Sequence, residues 1–212
     1  MGVPDPLAAA VAENARWCDR VGRAAGARTT ADPRRWWSAT RMPPLHPDAV
    51  SLVPGLRAEE LLAGIDAGPG CSVKDAYADV DLAVAGFTVV LDGRWWHRPP
   101  GPASGTHLRT AVHALGDEVA GGLLASDPDV RLVVATDGEG RVRARAVLHA
   151  AGEVVGVSNL TAEVGVEADA WRAVVAVAAG RHLVGWERDE DLGAATAAGC
   201  EPLGRLRVWQ HP

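Results

Sequence analysis

The sequence predicts an α/β protein in which helices flank a mixed sheet of parallel and antiparallel strands. The first observation is the run from Glu153 to Trp209, where strand-like and helix-like stretches alternate. The predicted elements are strands at 154–160, 183–186 and 206–209 and helices at 169–179 and 189–198. This spacing implies β-α-β crossovers and therefore parallel pairing. The second observation is residues 131–150, two strand-like stretches joined by a turn at Asp137 to Gly140, which predict an antiparallel hairpin.

Residues 1–100 predict an N-terminal half that contains both helices and strands. Residues 5–25 place apolar side chains at steps of three and four, as in a helix that packs on a core: Leu7, Val11, Ala15, Cys18 and Val21. A short helical or irregular piece with Trp36 and Trp37 follows, then a strand at 49–53 and a helix at 57–65. The Pro- and Gly-rich stretch 98–105 has linker composition. We therefore predict domains at 1–100 and 106–212, the second beginning with a strand at 107–112 and a helix at 117–125.

Composition and charge argue against several classes of protein. The 212 residues carry a formal net charge of −6, which disfavours a nucleic-acid-binding surface. No apolar run is long enough to span a membrane and no signal peptide is recognisable, so we expect a cytoplasmic protein with no membrane partner. Three widely spaced cysteines, Cys18, Cys71 and Cys200, are typical of free thiols in a reducing compartment. The histidines show no metal-ligand spacing, so no metal is expected.

The segment AATAAGCEPLGRLRVW, residues 194–209, resembles the last helix and strand of the GNAT superfamily of acyl-CoA-dependent N-acetyltransferases. In that superfamily an alanine-rich helix enters a Gly-Phe pair, here Gly199 and Cys200, and then an edge strand. VVGVSNL (154–160) corresponds to the central strand, and HLVGWE (182–187) to the parallel neighbour that splays from it. The resemblance covers roughly residues 106–209. It implies a cleft that binds acetyl-CoA or another acyl thioester, and direct attack on the thioester by a small amine substrate.

Two features depart from the superfamily's pattern. The loop that normally binds the coenzyme pyrophosphate has one glycine here, Gly165, and three acidic residues, Glu163, Glu167 and Asp169, which would repel a pyrophosphate. The Tyr that usually serves as the acid in that superfamily is replaced by Ala195. A non-catalytic GNAT-fold module for ligand binding or assembly therefore stays open beside the acyltransferase, as does a different reaction in the same cleft. Formation of a homo-oligomer is also left open.

Residues 81–96 echo residues 191–209. Each stretch predicts a short helix, a corner at Gly86-Phe87 or Gly199-Cys200, and a strand with Gly-Arg and Trp. The N-terminal half is then either a degenerate GNAT-like repeat or an unrelated unit.

Five residues of the predicted cleft are candidates for chemistry. The resemblance implies that Val157, Ser158 and Asn159 bind the acyl thioester, because they lie where the central strand turns its backbone toward the thioester carbonyl. Polar residues in an apolar strand need hydrogen-bonding partners. Strand-end capping or a β-bulge would also account for Ser158 and Asn159. Glu163 and Glu187 are the candidate general bases if burial raises their pKa, and surface carboxylates otherwise.

Three further residues are candidates for binding the substrate. Lys74 is the only lysine of the sequence, and with Asp75 it follows a Gly-Pro-Gly turn, where a loop residue can face a cleft. We expect either a substrate-binding pair or a surface pair at a helix N-terminus. Trp186 lines the pocket or belongs to the core.

Overall fold

The computed structural model describes residues 5–115, 124–125, 127–178 and 180–212. Its helices and strands, in chain order, are α1 (Pro6–Ala24), β1 (Thr29–Ala31), β2 (Arg35–Ser38), β3 (Ala49–Ser51), α2 (Ala58–Leu62), β4 (Ser72–Asp75), β5 (Thr88–Arg98), β6 (Arg109–Ala114), β7 (Val130–Thr136), β8 (Val142–Ala151), β9 (Val154–Ala162), α3 (Glu167–Val177), β10 (His182–Glu187), α4 (Leu192–Ala197) and β11 (Glu201–Gln210). A 3₁₀ turn, Ala83–Ala85, precedes β5. Among the described residues, no helix is long and apolar enough to cross a membrane.

The strands described form one sheet in the order β1-β2-β3-β4-β11-β5-β10-β9-β8-β7-β6. The pairs β3/β4 and β9/β10 are parallel, and every other neighbouring pair is antiparallel. The predicted mixed sheet flanked by helices is therefore confirmed.

The order of the strands is nearly symmetric about the centre of the sheet. On each side an antiparallel series leads to a parallel pair, β3/β4 or β9/β10, and the closing strands β5 and β11 lie side by side between these pairs. The corners before the closing strands also match, since Gly86 and Gly199 have φ of 84° and 88°. Residues 99–108 join β5 to β6, and the division of the chain into two domains stays a prediction.

Helix α1 covers one face of the sheet. The side chain of Asp5 caps it by accepting hydrogen bonds from the backbone N–H groups of Leu7 and Ala8. Its apolar side chains pack against β5, β9 and β10, next to Trp95. Two polar residues, Glu13 and Asn14, are also buried on this helix, with exposed fractions of 2% and 9%. Buried polar groups need hydrogen-bonding partners, and those of Glu13 and Asn14 lie in the candidate functional site.

Helices α3 and α4 cover the opposite face. Adjacent side chains on a strand point to opposite faces, so Trp96 packs beneath α3 while Trp95 packs beneath α1. The rings of Trp96 and Trp171 meet edge to face with centroids 5.0 Å apart. The three-layer arrangement leaves the ends of β9 and β10 between the two helical layers.

Two local predictions were wrong. Residues 35–38 form a strand, not a helical or irregular piece, because Trp36 packs into the core under α1 while Arg35 stacks its guanidinium over Trp37. Lys74 and Asp75 lie on β4, not in a loop before a helix, since β4 pairs with β11 from the far end of the chain. The predicted helix at 117–125 falls largely outside the described residues.

Candidate functional site

Strands β9 and β10 separate near the middle of their length. They pair in parallel at three positions, the last of which joins Gly156 to Val184. Beyond it, β9 continues to Ala162 and β10 to Glu187. The two strand ends therefore form the sides of a cleft through the sheet, as the sequence predicts for residues 154–160 and 183–187.

A β-bulge lies on β9 at the point where the cleft opens. Asn159 and Leu160 stand opposite the single residue Ala146 of β8. Asn159 has φ of 53°, in the left-handed region that asparagine enters more readily than most residues. The bulge interrupts the regular hydrogen-bond ladder and re-aims the backbone beside Ser158.

The cleft leads to a cavity of about 430 Å³ on the α1 side of the sheet. Its lining includes six of the residues predicted for the site: Lys74, Val157, Ser158, Asn159, Trp186 and Glu187. A second pocket of about 570 Å³ lies on the α3 side and shares Leu160, Glu187 and Asp191 with the first. A ligand could therefore reach the splayed strands from either face of the sheet.

Solved structures share this fold. A GCN5-related N-acetyltransferase (GNAT) from Kribbella flavida is 18% identical and matches 96% of this chain and 95% of its own, with a TM-score of 0.63. The chain has the GNAT fold. A GNAT-family protein from Novosphingobium aromaticivorans is 13% identical over 92% of this chain and 96% of its own, with a TM-score of 0.53. A functionally unknown conserved protein from Staphylococcus epidermidis is 10% identical over 86% of this chain and 92% of its own, with a TM-score of 0.55. At these identities the likeness establishes the fold alone.

No protein-family model matches the sequence, and no curated protein matches it.

The α3 side of this GNAT-fold cleft is acidic. The Glu167 carboxylate accepts a hydrogen bond of 2.9 Å from the backbone N–H of Gly165, and hydrogen bonds from backbone N–H groups hold the pKa of Glu167 below its usual range. The residues that line the pocket on this side include Glu167, Glu187, Glu190 and Asp191, and its described lining contains no Lys or Arg. A carboxylate of the chain thus accepts the hydrogen bond of the Gly165 N–H group in the loop before α3.

The α1 side of the cleft holds a buried cation. Lys74 is only 4% exposed, and its Nζ donates a 2.8 Å hydrogen bond to Oδ1 of Asn14. The ammonium also lies 4.6 Å from the ring centroid of Trp186 and 5.8 Å from that of Trp95. Burial lowers the pKa of Lys74 to about 8, which leaves most of it protonated at neutral pH. No carboxylate of the described residues pairs with it, so an anionic ligand group would find free N–H donors here.

Glu187 lies where the two pockets meet. Burial, helped by the nearby charge of Asp191, raises the pKa of Glu187 to about 7. A carboxylate with such a pKa can take a proton from an ammonium group near neutral pH.

A chain of three polar groups crosses the α1 side of the site. His149 Nδ1 lies 2.8 Å from Oε1 of Glu13, and His149 Nε2 lies 2.9 Å from Oγ of Ser158. Glu13 and His149 are 2% and 3% exposed, whereas Ser158 is half-buried and lines the cavity. The imidazole stacks on Trp17 with ring centroids 4.5 Å apart.

Gly156 makes room for this imidazole. It is the register partner of His149 on the adjacent strand, so a side chain there would share a face with the ring. A Cβ at position 156 would lie 1.9 Å from Cε1 of His149. The absence of a side chain at position 156 of β9 therefore leaves room for the imidazole of His149 between this strand and α1.

Asp75 and Glu163 do not line the cavity. Asp75 points away from Lys74, and its carboxylate accepts hydrogen bonds from the backbone N–H groups of Tyr77 and Val80. Glu163 follows the end of β9, where its Oε2 lies 2.8 Å from Nε of Arg143. Both residues have structural partners outside the cleft.

Sequence reasoning missed Glu13 and His149. The first of two signals is the polar pair Glu13-Asn14 inside the apolar pattern of α1, since Asn14 lies three residues after Val11 and four before Cys18. The second is a histidine at a buried position of an apolar strand. Nothing in the sequence links them, because 136 positions separate Glu13 from His149.

Proposed function

We propose that the protein is an N-acyltransferase that moves an acyl group from a thioester to a small amine at the splayed ends of β9 and β10. One observation carries the proposal: the parallel pair separates beyond Gly156 and Val184, and the pockets on the two faces of the sheet share the lining residues Leu160, Glu187 and Asp191. A thioester entering from the α3 side would meet an amine entering from the α1 side. The bulge at Asn159 would present backbone N–H groups to the oxygen of the attacked carbonyl.

The acyl donor is a thioester that does not rely on a pyrophosphate for binding. Four carboxylates line the α3-side pocket, and Glu167 already accepts the hydrogen bond from the Gly165 N–H group. Like charges in this pocket would weaken a bound pyrophosphate. A short pantetheine thioester, or one presented by a carrier, matches the charge of the pocket better than acetyl-CoA does.

The acceptor is a small amine that also carries an anionic group. Lys74 offers free N–H donors from a buried position, and a carboxylate on the substrate would pair with them. The ring of Trp186 lies 4.6 Å from Nζ of Lys74 on the wall of the cavity and would contact the body of the substrate. Glu187, with its pKa near 7, would accept the proton of the ammonium group.

A second candidate function is a non-catalytic GNAT-fold module that binds an anionic ligand. It is favoured by Ala195, which is fully buried on α4 and provides no proton donor for a leaving thiolate, and by the acidic loop before α3. This module would bind a carboxylate at Lys74 without turning over a thioester.

Thiol release distinguishes the two functions. Purified protein is mixed with acetyl-CoA or with S-acetyl-N-acetylcysteamine, which lacks the pyrophosphate, and with a panel of amino acids and their decarboxylated amines. We expect amine-dependent thiol release from the short thioester, with a preference for carboxylated amines. Lys74→Met should raise KM for those amines by about 10- to 100-fold, because a charge-assisted hydrogen bond is lost.

Two controls accompany the assay. Arg181→Met changes a cation outside the cavity and should leave the rate of thiol release and the KM for the amine unchanged, since the described partner of the Arg181 side chain is the Gly152 carbonyl. Calorimetry with the same amines reports binding without turnover. Heat with an affinity tighter than about 100 µM, combined with no thiol release from either donor, would favour the non-catalytic module and contradict the acyltransferase.

A further inference from the structure

Glu13, His149 and Ser158 form a carboxylate, imidazole and hydroxyl in series, which we call the Ser158 relay. A nucleophile within hydrogen-bond reach of a base, with the base oriented by a third group, is the arrangement that activates serine for covalent catalysis. Both spacings, 2.8 Å and 2.9 Å, lie within that reach.

The hydrogen bonds fix the direction of the relay. A carboxylate only accepts hydrogen bonds, so Nδ1 of His149 carries the proton and donates it to Oε1 of Glu13. Burial lowers the pKa of His149, which keeps the ring neutral. Nε2 is then an acceptor, and the Ser158 hydroxyl donates to it. His149 therefore has an unprotonated Nε2, which is the state that a base needs to take a proton from serine.

The surrounding residues hold the relay in place. Oε2 of Glu13 accepts a 3.2 Å hydrogen bond from Arg16, so the carboxylate has partners on both oxygens. Trp17 stacks on one side of the imidazole, and Gly156 leaves the space on the other. Ser158 alone of the three relay groups is half-buried, and it lies on the wall of the cavity next to the bulge at Asn159.

A purely structural role explains this arrangement poorly. A buried ionisable pair usually adds little stability compared with well-packed apolar residues, because both groups lose their hydration. Here the pair is buried. The second ring nitrogen of His149, Nε2, points to the hydroxyl of Ser158, which faces the cavity. The geometry orients a base toward the site, which packing alone does not require.

We propose that Ser158 is a catalytic nucleophile that accepts the acyl group covalently, with His149 as its base and Glu13 as the positioning residue for His149. This inference rests on the proposed acyl transfer and replaces direct attack by the amine with two steps through an acyl-serine ester.

In the first step, Oγ of Ser158 forms a bond to the thioester carbonyl carbon while its proton passes to Nε2 of His149. The carbon–sulfur bond then breaks, and the leaving thiolate takes that proton to depart as a thiol. In the second step, the amine nitrogen attacks the ester carbonyl. The carbon–Oγ bond breaks, Nε2 of His149 takes a proton from the attacking amine and passes it to Oγ, and Ser158 regains its hydroxyl as the amide forms.

Acylation of Ser158 can be tested with 4-nitrophenyl acetate, an activated ester that needs no thioester pocket. We expect a burst of 4-nitrophenolate equal to the protein concentration, and peptide mass mapping should place one acetyl group on Ser158. Ser158→Ala should abolish the burst and Ser158→Cys should retain an acyl adduct. Glu13→Gln should slow acylation by roughly 10²- to 10⁴-fold. Ser72→Ala removes another half-buried strand hydroxyl, one that donates to a backbone carbonyl of residue 46, and should react like the unchanged protein.

Each outcome decides the proposal. An acetyl group on Lys74 or elsewhere instead of Ser158, or an undiminished burst in Ser158→Ala, would overturn it. If thioester and amine give the amide at an unchanged rate in Ser158→Ala, acyl transfer stands and the nucleophile is wrong. If the activated ester labels Ser158 but no thioester is consumed, the relay stands and the proposed N-acyltransferase fails.

Discussion

Gly156→Ala should displace His149 and unfold part of the site at a measurable cost in stability. The added Cβ would lie 1.9 Å from Cε1, 2.4 Å from Nδ1 and 2.7 Å from Nε2 of the imidazole. All three distances are shorter than those at which a Cβ contacts other heavy atoms in proteins. The ring cannot shift away, because Trp17 stacks on it with a centroid distance of 4.5 Å. The substitution therefore forces His149 out of its position.

Two costs add in this variant. Overpacking a well-filled interior costs about 1–3 kcal/mol. Glu13, which is 2% exposed, would also lose its hydrogen bond to His149, and an unsatisfied buried acceptor costs about 1–3 kcal/mol. We therefore expect the free energy of unfolding to fall by at least about 2 kcal/mol.

Urea denaturation followed by tryptophan fluorescence measures this loss, and Gly193→Ala is the matched control. A Cβ at position 193 meets nothing within 4 Å, and the residue lies within α4, where alanine is a better helix former than glycine. The control should be neutral or more stable by up to about 1 kcal/mol. Equal stability of Gly156→Ala and the unchanged protein would refute the packing of His149 against β9.

Two further predictions concern titrating groups. Between pH 4.5 and about 7 the folded protein holds a proton on Glu187 that the unfolded chain has lost, so the free energy of unfolding should fall as pH rises through this window. Glu187→Gln should remove that fall in urea titrations, and a profile identical to that of the unchanged protein would show that the carboxyl is not perturbed. Burial raises the pKa of Cys18 to about 11 and those of Cys71 and Cys200 to about 12, so iodoacetamide should label none of them before unfolding. Rapid labelling of native Cys71 would instead support an activated thiol.

The C-terminal half of the fold could be predicted because its signals are local. Periodicity marks β9, α3 and β10 within a few residues of their observed bounds, and the Gly199 corner marks the entry to β11. The short strands β2 and β4 could not be predicted in this way. They are strands because of pairing with segments that are remote in the sequence, as when Lys74 lies opposite Val208.

The candidate-site residues on β9 and β10 were predictable because they follow one another on a strand. Ser158 and Asn159 interrupt the apolar pattern that includes Val157, and Trp186-Glu187 ends the neighbouring strand. Glu13 and His149 each break an apolar pattern, but the sequence does not show that they meet, since their contact forms only when α1 packs across β8 and β9. Asp75 was grouped with Lys74 because the two are adjacent, yet alternation along β4 sends their side chains to opposite faces.

The central position of the closing strands has a consequence for how the chain holds together. Both neighbours of β5, namely β10 and β11, come from the C-terminal half, and both neighbours of β11, namely β4 and β5, come from the N-terminal half. Each half therefore lends a strand to the interior of the other, and a cut within residues 101–105 would sever no strand of the sheet. A nicked protein would stay associated through its backbone ladders, and the two fragments, produced separately, would have to complement each other to rebuild a cleft that takes Lys74 from one piece and Ser158 from the other.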